Sequence, residues 1–227
     1  MSIFLDTGNY DEIKFYHEMG IIRGVTTNPS IMSKEKDINS FSSFKNRCIE
    51  IAKLINPLPL SIEVLSNEKE DMINQSIDFS NWAENINIKI TIHGPNGELE
   101  NLKVINYLSN EKKIKINVTA MMSAQQCLLA AFAGAEYVSI FGGRVNNMGY
   151  DSTSEIKKLR NVLDKLNLKS KIIVGSTREV INIFDWINAG AHIVTSTPNF
   201  LNSMIIHPYT KETVKMFMDD AKKISFE

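Results

Sequence analysis

A short run of strict alternation, Asn87-Ile88-Lys89-Ile90-Thr91-Ile92, constrains this chain more than any other feature. An extended segment with isoleucine at every second position has one apolar face and one polar face. Buried parallel strands normally read as uniformly apolar runs, so such a segment needs an interior that accepts polar side chains. Lys115-Ile116-Asn117-Val118-Thr119 repeats the pattern, and Ile62-Glu63-Val64 shows it in miniature. In a closed barrel wrapped by helices, the isoleucines would face the helices. Asn87, Lys89, Thr91, Asn117, Thr119 and Glu63 would then point into the lumen.

The rest of the chain is consistent with that closure. Candidate strands are Ile3–Leu5, Gly24–Thr27, Leu60–Leu65, Asn87–Ile92, Lys115–Thr119, Tyr137–Phe141, Ile172–Gly175 and His192–Thr195. Amphipathic stretches lie between them, among them Glu12–Met19, Phe41–Leu54, Asp71–Trp82, Ser123–Ala133, Ser152–Leu166 and Arg178–Asn188. Eight strands each followed by helical sequence predict an α/β fold, a (β/α)8 TIM barrel, with a doubly wound open sheet as the alternative. No linker, low-complexity tract or repeat interrupts the 227 residues, so residues 1–227 are expected to form a single domain, with Thr210–Lys222 as an additional C-terminal helix.

Composition narrows the partners. Lys plus Arg number 25 against 26 Asp plus Glu, with no dense basic run, which indicates neither nucleic acid nor an anionic membrane surface. The N-terminus lacks a basic region followed by a long apolar stretch, and no run is long enough to span a bilayer, so a soluble, cytoplasmic protein is expected. Cys48 and Cys127 fall in separate helical segments and read as packed, reduced thiols. Two glycosylation-type triplets, at Asn74 and Asn117, carry little meaning without a secretory signal. His17, His93, His192 and His207 are scattered without ligand-like spacing, so no metal is expected. No nucleotide-binding glycine motif is present, so no cofactor is expected either. Met121, Met122, Trp82, Phe132 and Trp186 read as core.

Lys89 is the strongest chemical candidate. An ammonium held between two isoleucines should be desolvated, which favours the neutral, nucleophilic amine. For an isolated lysine the better reading is a strand-end side chain reaching solvent, as expected for Lys115 and Lys171. Lys89 differs because Asp6 ends the first strand and Glu63 nearly ends the third, so closure would bring two carboxylates to the amine. Asp6 also heads an Asp-Thr-Gly triplet of the aspartic-protease kind, but that chemistry needs two such carboxylates in β-rich lobes. Asn28-Pro29-Ser30 reads locally as a helix cap, with Asn as N-cap and Pro at the first helical position. Gly142-Gly143-Arg144 after the sixth strand, and Gly175-Ser176-Thr177-Arg178 after the seventh, combine backbone amides, a hydroxyl and guanidinium groups suited to a phosphate. Gly175 and Ser176 have a simpler reading as a turn and helix cap.

Gly24-Val25-Thr26-Thr27-Asn28-Pro29-Ser30-Ile31 resembles the N-terminal signature of the transaldolase family, which includes small transaldolases and fructose-6-phosphate aldolases. The resemblance continues through Leu5-Asp6-Thr7, Ile88-Lys89-Ile90, Asn117-Val118-Thr119, the segment Ala133 to Ser139, and Gly175-Ser176-Thr177-Arg178. It implies a (β/α)8 fold and sugar-phosphate substrates, with Lys89 as the Schiff-base lysine and Asp6 as acid and base. Glu63 and Thr119 would hold the catalytic water; Asn28 and Ser139, with Thr26 and Asn117 beside them, would contact a dihydroxyacetone unit; Arg144, Ser176 and Arg178 would bind phosphate. Glu63 and Phe141, where the aldolase branch tends to carry glutamine and tyrosine, favour transaldolase in the pentose phosphate pathway. Aldol cleavage of fructose 6-phosphate, or transfer from a sulfonated or other ketose, is the nearer alternative, and a non-catalytic sugar-phosphate-binding barrel the more distant one. The resemblance also implies a homo-oligomer, a pentamer or decamer. The sequence departs from the family pattern after Lys89, where Thr91 to Glu98 runs one residue longer.

Overall fold

The computed structural model describes residues 1–224, so the last three residues of the expected domain span lie outside the described residues. Eight parallel strands close in sequence order: β1 (Ser2–Asp6), β2 (Val25–Thr26), β3 (Leu60–Glu63), β4 (Ile86–Thr91), β5 (Ile116–Met121), β6 (Tyr137–Ile140), β7 (Lys171–Val174) and β8 (Ile193–Ser196). Pairing of β1 with β8 completes the ring, with Phe4 opposite Thr195. This is the expected TIM barrel.

The helices around it are α1 (Tyr10–Glu18), α2 (Pro29–Met32), α3 (Phe41–Ile55), α4 (Lys69–Ser80), α5 (Glu100–Asn110), α6 (Ala124–Phe132), α7 (Gly142–Asn147), α8 (Ser152–Lys165), α9 (Val180–Asn188), α10 (Pro198–Ile205) and α11 (Pro208–Ala221). The expected helices correspond to α1, α3, α4, α6, α8, α9 and α11. Side-chain caps fix several starts: Asn9 accepts from Glu12 N at 3.1 Å, and Asp151 from Ser154 N at 3.2 Å. The α9 helix begins at Val180 rather than Arg178, because Glu179 and Asn182 cap it reciprocally. Ser176 is therefore not its cap.

Strand alternation separates two cores. Leu5, Val25, Ile62, Ile88, Ile90, Val118, Val138, Val174 and Val194 belong to one aliphatic core packed under the helices. Phe4, Tyr137, Ile173 and Ile193 form a separate buried cluster on the lumen face of their strands. Cys48 and Cys127 are free and buried in the outer core, and burial pushes the Cys48 thiol up to about 12. Trp186 and Met121 are buried as expected.

Other expectations about the core need correction. Phe132 is 58% exposed, because α6 buries Cys127, Ala130 and Ala131 and turns its last residue outward. Met122 is 37% exposed just beyond β5. Trp82 is half-buried, stacked 4.3 Å from Phe79 in an aromatic patch at the α3/α4 periphery. Thr91, expected in the lumen, sits at the barrel rim. Its hydroxyl donates to His93 O at 3.0 Å, and Asn101 Nδ2 donates to it at 3.0 Å, so the segment after β4 draws it away from the cavity. Lys115 and Lys171 are exposed, as expected for strand-end lysines.

Candidate active site

The carboxyl ends of the strands surround a cavity of about 280 Å³. Of the residues singled out from the sequence, Asp6, Thr26, Asn28, Lys89, Asn117, Thr119 and Ser139 line it, as do Phe141, Arg144, Ser176 and Arg178. Glu63 stands behind Lys89 and touches the amine rather than the cavity wall.

Register explains the central cluster. Glu63 on β3 lies opposite Lys89 on β4, and Lys89 lies opposite Asn117 on β5. The Lys89 side chain is almost fully buried; its Nζ lies 3.3 Å from Glu63 Oε2 and donates to the Thr27 carbonyl at 2.6 Å. A buried ammonium requires such partners, and two of its hydrogens are accounted for here. Asn117 is fixed from both sides, donating to Ser61 Oγ at 3.1 Å and accepting from Ser139 Oγ at 2.6 Å. The buried Thr119 hydroxyl has no hydrogen-bond partner among the described residues, which marks it as a group available to a ligand. Ala120, directly after it, has φ 61 where β5 shifts register against β6, a bulge beside the site.

Asp6 closes β1 and accepts from Thr26 Oγ1 at 2.7 Å. The Thr26 hydroxyl also lies 2.6 Å from Thr195 Oγ1. Burial pushes the Asp6 carboxyl above the usual carboxylate range, opposed by the nearby Lys89 charge and by the Thr26 hydrogen bond. Asn28 combines the two roles considered for it: its Oδ1 caps α2 by accepting from Ile31 N at 2.9 Å, and the residue lines the cavity.

The opposite wall carries the cationic loops. Arg144 on α7 holds its guanidinium 5.4 Å from the Phe141 ring centroid, and neither Arg144 nor Arg178 pairs with a carboxylate among the described residues. The two loops touch at Gly143, where a Cβ would sit 1.7 Å from Ser176 O. Ser176 takes φ 62, a left-handed conformation unusual for a side-chain-bearing residue. Two free guanidinium groups at one mouth of a cavity suit an anionic ligand group.

Several lining residues were not anticipated. Lys34 just beyond α2, Thr177, Thr195 and Ser196 all face the cavity. Thr195 shares the alternation of β8 with Ile193, and that pattern is its signal in the sequence. Lys34 sits in a short loop that offers none. The longer segment after Lys89, by contrast, does not line the cavity: Gly94 N bonds Glu98 O at 3.0 Å and Asn96 N bonds Glu98 Oε2 at 2.9 Å, closing it on itself.

A family profile described as Transaldolase/Fructose-6-phosphate aldolase matches residues 3–227. The chain belongs to the transaldolase/fructose-6-phosphate aldolase family. Among its relatives in this enzyme family, a "Probable transaldolase" of Carboxydothermus hydrogenoformans is 39% identical over 221 residues, covering 97% of each chain. One of the same name from Oceanobacillus iheyensis is 37% identical over 220 residues, covering 97% of this chain and 98% of the relative. A solved structure of a thiamine phosphate pyrophosphorylase from Pyrococcus furiosus superposes with a TM-score of 0.61 over 86% of this chain and 85% of that one. At 9% identity that likeness speaks to the barrel alone. Among the described residues of this family member, no helix is long and apolar enough to cross a membrane. No group of His, Cys, Asp and Glu among them is arranged to hold a metal ion.

Proposed function

We propose that the protein is a transaldolase, acting as one barrel domain, that carries a dihydroxyacetone unit on Lys89 from a ketose phosphate to an aldose phosphate. The observation that carries this reading is the buried Lys89 amine at the cavity floor, held between Glu63 and the Thr27 carbonyl with Asp6 on the same lining. The amine adds to the ketone carbon of a donor such as fructose 6-phosphate or sedoheptulose 7-phosphate, and loss of water gives the Schiff base. Glu63 and Thr119 position the water that leaves here and returns at hydrolysis; the unpartnered Thr119 hydroxyl supports that role.

Asp6 then takes the proton of the C4 hydroxyl. The C3–C4 bond breaks, an aldose phosphate departs, and its bonding electrons remain on the three-carbon unit as an enamine conjugated to the Lys89 nitrogen. Asn28 and Ser139 hold the hydroxyls of that unit, with Thr26 and Asn117 orienting Asp6 and Ser139. The acceptor aldehyde is attacked by the enamine, Asp6 returns its proton to the new hydroxyl, and water releases the ketose from Lys89. Arg144, Ser176 and Arg178 bind the phosphate end. No organic cofactor or metal enters this sequence of steps.

Phe141 supports transfer over simple cleavage, since its ring, just beyond β6, carries no hydroxyl to protonate the enamine before an acceptor arrives. The fully exposed course of α11, with Val214, Met216, Phe217 and Met218 each more than half accessible, supports a homo-oligomer, a pentamer or decamer, packed through that helix.

Borohydride trapping tests the Schiff base. A ketose phosphate should leave a reduced adduct on Lys89, and folded, active protein without that adduct excludes the proposal. Release of glyceraldehyde 3-phosphate from fructose 6-phosphate should require erythrose 4-phosphate; undiminished release of free dihydroxyacetone without acceptor would make the protein an aldolase instead.

A further inference from the structure

We infer that Thr195 is a positioning residue for Asp6, its hydroxyl donating to Thr26 and so holding the single Thr26 hydrogen on the Asp6 carboxyl. The inference rests on the Schiff-base reading above, in which Asp6 alternates between base and acid.

Thr26 has one hydroxyl hydrogen, and an ionised Asp6 can only accept, so that hydrogen belongs to the 2.7 Å contact with Asp6 Oδ1. The 2.6 Å contact between Thr26 and Thr195 is then a hydrogen bond only if Thr195 donates. The Thr195 hydroxyl has no other polar partner among the described residues, and Thr195 is buried while lining the cavity. The C4 hydroxyl proton lands on the side of the Asp6 carboxyl that faces the substrate, so Oδ1 stays an acceptor, Thr26 goes on donating to it, and Thr195 goes on donating to Thr26. Each threonine keeps its hydrogen; the substrate proton stays on Asp6 until it returns to the acceptor oxygen. Both charge states of Asp6 thus keep the Thr26 bond, and that bond is stronger to the ionised carboxylate.

Thr195 is itself held by other atoms. Its carbonyl accepts from Thr177 Oγ1 at 3.3 Å, and its methyl lies against Gly175, 3.1 Å from the point a Cβ there would occupy. Valine preserves both contacts and removes only the hydroxyl. The charged groups facing Asp6, namely Lys89 on β4, Glu63 on β3 and Lys34 beyond α2, are untouched by that change. The upward displacement of the Asp6 carboxyl by burial makes its remaining hydrogen bonds matter more.

The test compares the pH dependence of kcat in wild type, Thr195→Val and Thr195→Ser, with the acid limb assigned to Asp6 by its loss in the residual turnover of Asp6→Asn. Ionised Asp6 loses more than protonated Asp6 when the chain is cut, so the limb should move up by roughly half a pH unit in Thr195→Val. KM for the ketose phosphate should stay constant, borohydride adduct on Lys89 should persist, and Thr195→Ser should restore the wild-type limb. If valine prevents folding, Thr195→Ala takes its place with the same expectation. An unmoved limb in the folded variant, or a serine variant that behaves like valine, overturns the positioning role. Absence of any Lys89 adduct in wild type would instead overturn the Schiff-base reading on which it stands.

Discussion

The two faces of the same eight strands solve opposite problems. Outward, Ile62, Ile88, Ile90 and Val118 join one continuous aliphatic core, where any residue of the right shape and polarity would serve. Inward, Ser61, Glu63, Asn87, Lys89, Asn117 and Thr119 alternate with them, and Ser61, Glu63, Lys89 and Asn117 each depend on a particular polar neighbour. Substitution on the outward face costs stability alone; on the inward face, under the proposed reading, it also costs chemistry. A one-residue slip in register would exchange the two faces, so the packing of isoleucines also fixes the direction in which Lys89 points.

The sharpest way to break this contrast is Lys89→Met. Turnover should fall by about four orders of magnitude or more and the borohydride adduct should vanish, while the melting temperature falls because Glu63 and Asp6 lose the cation between them. Substantial residual transfer would remove Lys89 from the chemistry. The converse substitution on the outward face, Ile88→Ala, should cost about 2–5 kcal/mol in denaturant unfolding, with KM and kcat retained in the protein that remains folded. A stability loss far below that range would mean the outer core repacks around the missing atoms.

A smaller effect is expected at the cationic mouth. Arg144→Ala and Arg178→Ala should each raise KM for a ketose phosphate by roughly 10- to 100-fold, about 1.4–2.8 kcal/mol, while leaving KM for the unphosphorylated sugar unchanged. Equal losses for both sugars would show that the arginines act on the barrel rather than on phosphate.

The smallest effect has the opposite sign. Because burial raises the Asp6 carboxyl in the folded state, the native protein holds that proton more tightly than the unfolded chain. Its contribution to stability is complete below the unfolded value and is lost as pH rises through the raised one. Asp6→Asn should therefore melt above wild type at neutral pH, with the gap closing as the pH is lowered. A variant less stable than wild type at every pH would mean that the Lys89 attraction outweighs burial.

The legible part of this molecule is the part written in alternation. Isoleucines at every second position exposed the barrel and the lumen-facing polar set, because period-two patterning maps directly onto the faces of a strand. Phe132 and Met122 misled because an apolar residue at an element's end can turn either way, and only the closed structure decides. Thr91 failed for a related reason: alternation sets its face, but the segment carrying Asn101 sets its partners. Lys34 lies on a loop whose approach to the cavity depends on where α2 ends. The left-handed residues Ala120 and Ser176 follow from local closure, and neither residue type signals it.

At Gly143 the absent Cβ lets one loop lie directly on the Ser176 carbonyl of the next. The β6 and β7 loops therefore meet in one closely packed corner, remote in the chain from the strands that carry Lys89, Glu63 and Asp6. On the proposed reading, phosphate recognition and reaction are thereby housed in separate stretches of sequence. Descendants of such a barrel can change the sugar they serve by rewriting one corner, and inherit the amine, its carboxylates and their proton traffic unaltered.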